Sequence, residues 1–494
     1  MKSPSKTWKI AFLVIAALAV VIAISAVPSS AGNGRAYPEL PSAVSTEGPT
    51  QDDARAMQAD LTRRLSGELP PSALESAIKI QIPAEEIGLV DNGKDTPLKI
   101  GVVKPLTPGV EVSGLSRGQD NQPRQGPSAP ATPTADGGFT WAVAIRSEEA
   151  GAIRVHVEGM SLPRNAEMYF YALDGQAYGP YKSSGPNGTG EFWTSTVFGT
   201  EGVLQVRLSA PVTAADLAAV AFKATEAGFI TRKGAGQIIP TPDAPPPPGI
   251  CGNATCIVDA NCYANANGIK DAIAKMEWIQ GAFIYTCTGG LLNDSNPSSD
   301  SFFLTANHCL SKNNTAANVN FYWRFRTNTC NGTCPSNNGW PYQSSGSSIA
   351  ATNRKGDFTL LRLSSAQAPP SGSVYLGWTS APVANSNGTA MRRVSNPQFG
   401  TQVYSEHSVD TGAPTCSGWP RGERIYSRDT LGGIDGGSSG SPITNTSNQV
   451  VGQLSGTCGS SPSSTCSSGP GGANATVDGA FAFYFATVQP ILAP

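Results

Sequence analysis

The sequence is poor in charged residues, and this shortage narrows the classes of protein it can encode. Only 14% of the 494 residues are charged, and the formal net charge is −2. No block of like charges occurs, so nothing indicates a nucleic-acid partner or a charged tail. The chain is rich instead in glycine and proline, with 54 and 39 residues, which favours a loop-rich, all-β, extracellular protein.

Long apolar runs are absent apart from one near the N-terminus. Lysines precede the run Ile10–Ala26, and small residues follow it. This order predicts a secretory signal peptide within residues 1–31, cleaved near Ala26 or Ala31. Because the run is nearly as long as the ~20 residues that span a bilayer, an uncleaved N-terminal anchor stays the alternative.

Cysteine is absent from the first 250 residues, and all ten cysteines lie between Cys251 and Cys466. An even number confined to one half of an exported chain predicts a disulfide framework. A zinc site is less favoured, because the sequence has one C-x-x-x-C (Cys330 and Cys334), no C-x-x-C, and no histidine at ligand spacing from that pair. We therefore expect no metal and no cofactor.

The composition divides the rest of the chain into four parts. Residues 32–135 are polar and proline-rich and predict a pro-segment, in which DDARAMQADLTRRLSGEL forms a short helix. Residues 136–236 contain short alternating runs that predict a β-sandwich-like pro-domain, with His156 as a solvated side chain. Residues 237–250 form a proline-rich linker. Residues 251–494 have the size of one all-β barrel domain.

Three short stretches in this last part carry candidate catalytic residues. They are Phe302–Leu310 (FFLTANHCL), Lys355–Leu363 (KGDFTLLRL) and Gly432–Pro442 (GGIDGGSSGSP). Taken singly, each is typical of ordinary structure. Together they supply an imidazole base, a carboxylate to orient it and a serine nucleophile. Glycine permits the close backbone turn that an oxyanion hole needs.

These stretches resemble the motifs of chymotrypsin-fold (trypsin-like) serine endopeptidases, most closely the bacterial lysyl-endopeptidase branch. LTANHC resembles that fold's T-A-x-H-C motif, DFTLL the aspartate strand and GGSSGSP the G-x-S-G-S-P loop. CIVDANC, CTGGLLN, NFYWRFRTNTC and VVGQLSG extend the resemblance over roughly residues 250–490. It implies an all-β, two-barrel chymotrypsin-like protease domain preceded by the β-sandwich-like pro-region.

The resemblance also implies a role for each matching residue. His308 is the expected general base, Asp357 its orienting partner and Ser439 the nucleophile. The backbone N–H groups of Gly437 and Ser439 are the expected oxyanion donors. His407 has no matching motif and is expected to be a surface residue.

One departure from the animal enzymes bears on activation. They carry an aspartate before the nucleophile, where this chain has Ser438. Activation by a new N-terminal ion pair is therefore not expected, and removal of the N-terminal half, acting as a pro-region, is. We expect a secreted monomeric endopeptidase that acts on proteins or peptides, with no nucleic-acid partner and no membrane contact beyond the possible anchor.

The resemblance implies part of the disulfide pairing. It implies Cys287–Cys309, Cys262–Cys330, and a link from Cys256 to either Cys458 or Cys466. The partners of Cys251, Cys334 and Cys416 are left unassigned.

Substrate specificity is open between two alignments. A basic residue at P1, the position before the scissile bond, needs a carboxylate in its pocket, and Gly433 stands where trypsin-like enzymes carry one. A gap-free count from the nucleophile places Asp478 in the pocket and predicts a preference for basic P1 residues. Aligning the glycine of the last strand places Thr476 there and predicts small or apolar P1 residues.

A second class of function is a non-catalytic one, a secreted adhesin or scaffold that kept a protease-like barrel. A lipase or esterase is disfavoured, because those hydrolases run Ser, Asp, His and carry a G-x-S-x-G elbow.

Overall fold

The computed structural model describes most of the chain. The described residues are 29–31, 35–46, 48–90, 96–116, 130–232, 251, 253–295, 300–332, 334–335, 342–364 and 368–494. Most of the predicted signal peptide and the whole of the predicted linker, 237–250, lie outside them. Within these residues, no helix has the length and apolar character needed to cross a membrane.

The N-terminal half contains fifteen strands and four helices among its described residues. The strands are β1 (Ser29–Ala31), β2 (Arg35–Tyr37), β3 (Glu39–Leu40), β4 (Ala43–Val44), β5 (Ile78–Lys79), β6 (Leu98–Ser113), β7 (Thr132–Pro133), β8 (Phe139–Arg146), β9 (Ala150–Ser161), β10 (Ala166–Tyr171), β11 (Ala177–Tyr181), β12 (Phe192–Trp193), β13 (Val197–Phe198), β14 (Glu201–Leu208) and β15 (Ala221–Thr231). The helices are α1 (Gln51–Gly67), α2 (Pro71–Glu75), α3 (Ala84–Val90) and α4 (Ala214–Ala218).

The C-terminal half contains sixteen strands and two helices among its described residues. The strands are β16 (Val258–Asp259), β17 (Ile273–Gln280), β18 (Phe283–Leu292), β19 (Phe302–Ala306), β20 (Asn320–Trp323), β21 (Gln343–Ser345), β22 (Ser347–Asn353), β23 (Phe358–Leu363), β24 (Val374–Tyr375), β25 (Trp378–Thr379), β26 (Ala390–Ser395), β27 (Val403–Val409), β28 (Arg424–Leu431), β29 (Pro442–Asn445), β30 (Val450–Gly459) and β31 (Asn474–Ala480). The helices are α5 (Asn313–Ala316) and α6 (Phe481–Leu492).

Two sheets of the N-terminal half pack face to face. One has the order β11-β10-β14-β8-β5, and the other contains β12-β9-β15-β6. Alternate residues of these strands point into a shared apolar core that includes Trp141, Val155, Phe170 and Phe222. The alternating runs therefore predicted the sandwich correctly, because a strand with one buried face repeats every second residue.

Two details of the N-terminal half differ from the sequence expectations. Strand β6 lies in the segment expected to be a polar pro-segment, and its Pro105 and Pro108 interrupt the alternation that would have revealed it. His156 was predicted to be solvated, which is wrong. Its side chain is only 12% exposed, lies 2.9 Å from Glu226 and stacks on Trp193. The predicted short helix is confirmed as α1.

The C-terminal half forms the two barrels that the resemblance implied. Strands β17 to β23 make a half-barrel in the order β21-β20-β17-β18-β19-β23-β22. Strands β26 to β31 make a closed barrel in the order β29-β26-β27-β28-β31-β30, which the β29–β30 pairing completes. The chymotrypsin-like, two-barrel expectation is confirmed.

Five disulfides lie in this half and join all ten cysteines. They are Cys251–Cys334, Cys256–Cys466, Cys262–Cys330, Cys287–Cys309 and Cys416–Cys458. The expected pairs Cys287–Cys309 and Cys262–Cys330 are confirmed, and Cys256 takes the second of its two expected partners.

The two halves share a continuous sheet. Strand β6 pairs with β18 of the half-barrel, in a register that places Leu98 opposite Thr286. A buried ion pair reinforces this contact, with Arg154 Nη1 3.1 Å from Glu277 Oε1 and both side chains fully buried. The N-terminal half is therefore attached to the barrel by backbone pairing and by a charge pair.

Candidate active site

Two antiparallel strands bring His308 and Asp357 to the same end of the half-barrel. Strand β19 ends at Ala306, opposite Phe358 at the start of β23. His308 follows the end of one strand and Asp357 precedes the start of the other, so they meet. His308 Nδ1 lies 3.0 Å from Asp357 Oδ2 and 3.2 Å from Oδ1.

The Asp357 carboxylate also holds the backbone of the histidine. The backbone N–H of His308 donates to Asp357 Oδ1 at 3.0 Å. Asp357 has a left-handed backbone with φ of 52°, a conformation that aspartate tolerates better than most residues. The Asp357 side chain is 9% exposed and that of His308 is 23% exposed. An N–H group at Nδ1 of the ring can donate a hydrogen bond to the carboxylate. The unprotonated Nε2 is then the available base.

The glycine-rich stretch forms a tight loop whose three serines have different surroundings. Ser438 and Ser441 are fully buried. The Ser438 hydroxyl accepts a hydrogen bond from Ser395 at 3.0 Å, and the Ser441 hydroxyl accepts one from Arg393 at 3.0 Å. Ser439 is half-buried, and its hydroxyl has no hydrogen-bond partner among the described residues. It is therefore the one serine of the three whose hydroxyl is free to react.

The loop is fastened against two neighbouring strands, β18 and β19, of which β19 leads to His308. Thr288 of β18 donates its backbone N–H to Ser439 O and its hydroxyl to Gly437 O, both at 2.8 Å. Gly440 has φ of 81°, and a Cβ there would lie 2.2 Å from Thr305 Oγ1 and 2.7 Å from Ala306 N. Only glycine fits this contact, which sets Ser439 beside the end of the histidine strand.

The backbone N–H groups of Gly437 and Ser439 have no acceptor within the described part of the chain. The carbonyl on the other side of each peptide bond explains why. Gly436 O accepts from Gln398 N at 2.6 Å, and Ser438 O accepts from Ser441 N at 3.1 Å. Because a trans peptide directs its N–H opposite to its C=O, these bonds turn the N–H groups of Gly437 and Ser439 away from the protein carbonyls. Free, fixed N–H groups are what stabilises a developing oxyanion.

Lys275 supports this loop, and the sequence argument missed it. The lysine is fully buried on β17, and its Nζ donates to Phe399 O at 2.9 Å and lies 3.4 Å from the ring centroid of Phe325. Burial lowers its pKa well below the usual range. Phe399 belongs to the turn whose Gln398 N–H holds Gly436. A charged residue inside the apolar run IAKMEWIQ was the available signal.

A second supporting chain reaches Asp357 from the C-terminal helix. Tyr484 of α6 donates its hydroxyl to Gln453 Oε1 at 2.5 Å, and Gln453 Nε2 donates to Asp357 O at 2.9 Å. Burial raises the pKa of Tyr484 well above its usual value, so the phenol stays a donor. The left-handed turn at Asp357 is therefore held from the closed barrel.

The two pocket candidates, Thr476 and Asp478, lie on the same strand β31 but have different side-chain partners. Asp478 is fully buried in an ion pair with Arg393, whose side chain is also fully buried. A carboxylate already neutralised in this way does not support a role in binding a substrate cation. Thr476 donates its hydroxyl to Asp429 at 2.7 Å.

His407 was expected at the surface, and this was wrong. It is 1% exposed, with Nδ1 2.9 Å from Asp429 Oδ1 and Nε2 2.8 Å from Ser405 Oγ. Its strand, VYSEHSV, faces the interior of the closed barrel at this position, and no local pattern distinguishes an inward histidine from an outward one.

The sulfur atoms beside His308 do not make a metal site. Cys287, His308 and Cys309 offer ligand atoms within 4.8 Å of one another. Both sulfurs are joined in a disulfide, so neither is a thiolate that could bind a metal.

Comparison with known proteins supports the resemblance. Residues 252–470, less than half of the chain, match the family described as "Lysyl endopeptidase, C-terminal domain". The resemblance to the lysyl-endopeptidase branch is confirmed for this segment. A lysyl endopeptidase of Pseudomonas aeruginosa is 31% identical over 206 residues, which cover 40% of this chain and 43% of the relative. The chain therefore spans less than half the length of this curated relative.

Solved structures of proteases are more distant. The active form of the Rv3671c protease from M. tuberculosis is 14% identical, with a TM-score of 0.31 over 47% of this chain and 86% of that one. The MamO protease domain from Magnetospirillum magneticum is 14% identical, with a TM-score of 0.30 over 45% and 98% of the two chains. Such scores do not establish a residue-by-residue correspondence.

Proposed function

We propose that this protein is a secreted serine endopeptidase that is made as a pro-enzyme. The observation that carries the proposal is the pairing of His308 with Asp357 beside a fastened loop in which Ser439 alone has a free hydroxyl. A base, an orienting carboxylate and a free serine hydroxyl are the groups that peptide hydrolysis by nucleophilic catalysis uses.

Each step of the proposed reaction uses one of these groups. His308 Nε2 takes the proton of the Ser439 hydroxyl as its oxygen bonds to the substrate carbonyl carbon. The N–H groups of Gly437 and Ser439 stabilise the resulting oxyanion. The C–N bond then breaks, and His308 gives the proton to the leaving amine. Water hydrolyses the acyl-enzyme by the same route, which restores the serine.

Casein hydrolysis by the secreted, processed protein tests the proposal. We expect cleavage that a fluorophosphonate inhibits irreversibly. A folded and processed protein that leaves casein intact would instead favour the adhesin or scaffold function.

The N-terminal half is proposed to restrain the enzyme until it is removed. Leu98 is the first residue of strand β6 and pairs with Thr286 of β18. Its side chain also approaches the loop, because a Cβ built on Gly436 would lie 3.6 Å from Leu98 Cδ1. The Leu98 side chain therefore lies beside Gly436, the residue just before the proposed oxyanion donor. Its removal would free this side of the site for substrate.

We expect the active secreted form to begin between about Gln237 and Cys251. The motive is that every proposed catalytic residue and every disulfide lies after this segment. N-terminal sequencing of active material checks the prediction. Active enzyme that still begins near residue 32 would contradict the pro-region role.

A second prediction concerns the buried ion pair between the halves. Arg154→Met should lower the free energy of unfolding of the full chain by about 3–5 kcal/mol, because Glu277 would be left charged and buried. Chemical denaturation measures it. The double variant Arg154→Met/Glu277→Gln, which leaves no unpaired charge, should recover part of this loss. Equal losses in both variants would show that the charge pair is not the cause.

A further inference from the structure

A short segment near the start of the described chain lies on the protease half. Strand β3 pairs antiparallel with β25, with Leu40 opposite Trp378, and β4 pairs antiparallel with β24, with Val44 opposite Val374. We call residues 38–45 the strap. Its first strand extends the sheet of the closed barrel beyond β25. The N-terminal half therefore contacts the protease half at a second place, separate from the β6–β18 pairing.

The strap supplies hydrogen-bond acceptors to the edge of the protease half. The Pro38 carbonyl accepts from both the backbone N–H and the hydroxyl of Ser380, at 3.0 Å each. The Ser42 hydroxyl accepts from the backbone N–H of Gly377 at 2.8 Å. Removal of the strap takes these acceptors away, which leaves the β25 edge open to another extended segment.

Leu40 is the buried apolar residue of the strap. It is 8% exposed and belongs to an apolar core of the protease half that includes Leu376, Trp378 and Phe481. Val44 of the same strap is 65% exposed. Backbone bonds along an edge, together with a side chain in an apolar slot, are the means by which a sheet edge recognises an extended peptide.

Gly377 makes room for the strap. A Cβ built on Gly377 would lie 2.3 Å from Leu40 O, 2.6 Å from Pro41 C and 2.7 Å from Ser42 N. These three nearest atoms all belong to the strap backbone. Gly377 is not among the residues with a left-handed backbone, so its own conformation does not require glycine. The close approach of the strap is therefore what requires glycine at this position.

We propose that the edge formed by β24 and β25 is a docking site for an extended peptide, and that its occupant after processing is the strap of the cut-off pro-region. The proposal rests on the proposed pro-enzyme function, because cleavage in the linker makes the strap part of a separate chain. Two contacts on one chain hold more tightly than either alone, since release of one leaves the other in place. A cut within residues 237–250 therefore does not by itself release the pro-region, and Leu98 stays beside Gly436.

The affinity between the two pieces tests the proposal. The Ser439→Ala chain, chosen so that the pieces are not digested, is cut in the linker by an added endopeptidase. The dissociation constant of the pro-region is then measured on the immobilised protease half. Leu40→Asp should raise this constant about 10²-fold, because a carboxylate is excluded from the apolar slot and one of two joined contacts is lost.

Val44→Asp is the matched control, because it makes the same kind of change at an exposed position of the strap. It should alter the dissociation constant less than about 3-fold. Equal effects of Leu40→Asp and Val44→Asp would overturn the docking site.

Gly377→Ala tests the same contact from the protease half. It should raise the dissociation constant about 10²-fold as well, because its methyl group collides with the strap backbone. With Ser439 restored and the pro-region removed, the variant should keep the wild-type kcat/KM for a peptide substrate, because the three colliding atoms leave with the strap. An unchanged dissociation constant in Gly377→Ala would overturn the proposal.

Hydrogen exchange with the strap and its docking edge unaltered is independent of folding defects in the variants. After the linker is cut, the backbone N–H groups of Gly377 and Ser380 should stay protected, and they should lose protection only when the pro-region is removed. Loss of protection on linker cleavage alone overturns the docking site. The binding and exchange measurements need no catalysis, so a protein without peptidase activity would contradict the proposed function and leave the docking site standing.

Discussion

We expect Ser439→Ala to lower kcat/KM for peptide substrates about 10⁶-fold, the scale of loss when a catalytic serine is removed from a triad. The change deletes the only hydroxyl in the loop without a hydrogen-bond partner in the described structure, so stability should hardly change. Wild type and variant are compared after trimming by the same added endopeptidase, with the new N-terminus confirmed. This step separates loss of chemistry from loss of processing.

The neighbouring serines provide matched controls. Ser438→Ala and Ser441→Ala each remove a buried hydroxyl that accepts a hydrogen bond, from Ser395 and Arg393 respectively. Each should lower stability by about 1–3 kcal/mol, because a buried donor loses its acceptor. Both should retain far more activity than Ser439→Ala. If Ser438→Ala were the inactive variant, the proposed nucleophile would be incorrect.

We expect Asp357→Asn to lower kcat about 10⁴-fold while the fold is kept. The Asn oxygen can still accept from the backbone N–H of His308, as Asp357 Oδ1 does at 3.0 Å. Its NH₂ group, however, would donate to Nδ1 and shift the ring proton to Nε2. The ring could then no longer take the proton of Ser439.

Steady-state kinetics at neutral pH measure this loss, and Asp410→Asn is its control. Asp410 pairs with Arg428 on the closed barrel, so its replacement removes a carboxylate without touching His308. It should leave kcat nearly unchanged. Similar losses in the two variants would show that Asp357 acts through general stability rather than through the histidine.

The local motifs were sufficient to predict the proposed catalytic residues. TANHC, GDFTLL and GGSSGSP each combine a reactive residue with the strand end or glycine turn that presents it. Sequence could therefore name His308, Asp357 and Ser439 before any contact between them was known. Alternating runs also predicted the sandwich, because strands with one buried face alternate in the sequence. The two barrels were implied by the resemblance of the motifs to a known family.

The features that sequence missed depend on contacts between distant residues. Strand β6 is interrupted by prolines and is recognisable only from its pairing with β15 and β18. Lys275 and His407 are polar residues buried by their partners, Phe399 and Asp429. The position of Asp429 beside Gly433 follows from the packing of β28 against the loop Gly432–Pro442, and no spacing along the chain encodes it.

The most direct test of the central claim is to locate the adduct that a fluorophosphonate forms with the processed protein. Such probes modify a serine only where a base and an oxyanion site activate it. Peptide mapping by mass spectrometry should find one adduct, on Ser439, and none after Asp357→Asn within the same labelling time. An adduct on Ser438 or Ser441, or a folded, processed protein that takes no label, would contradict the account.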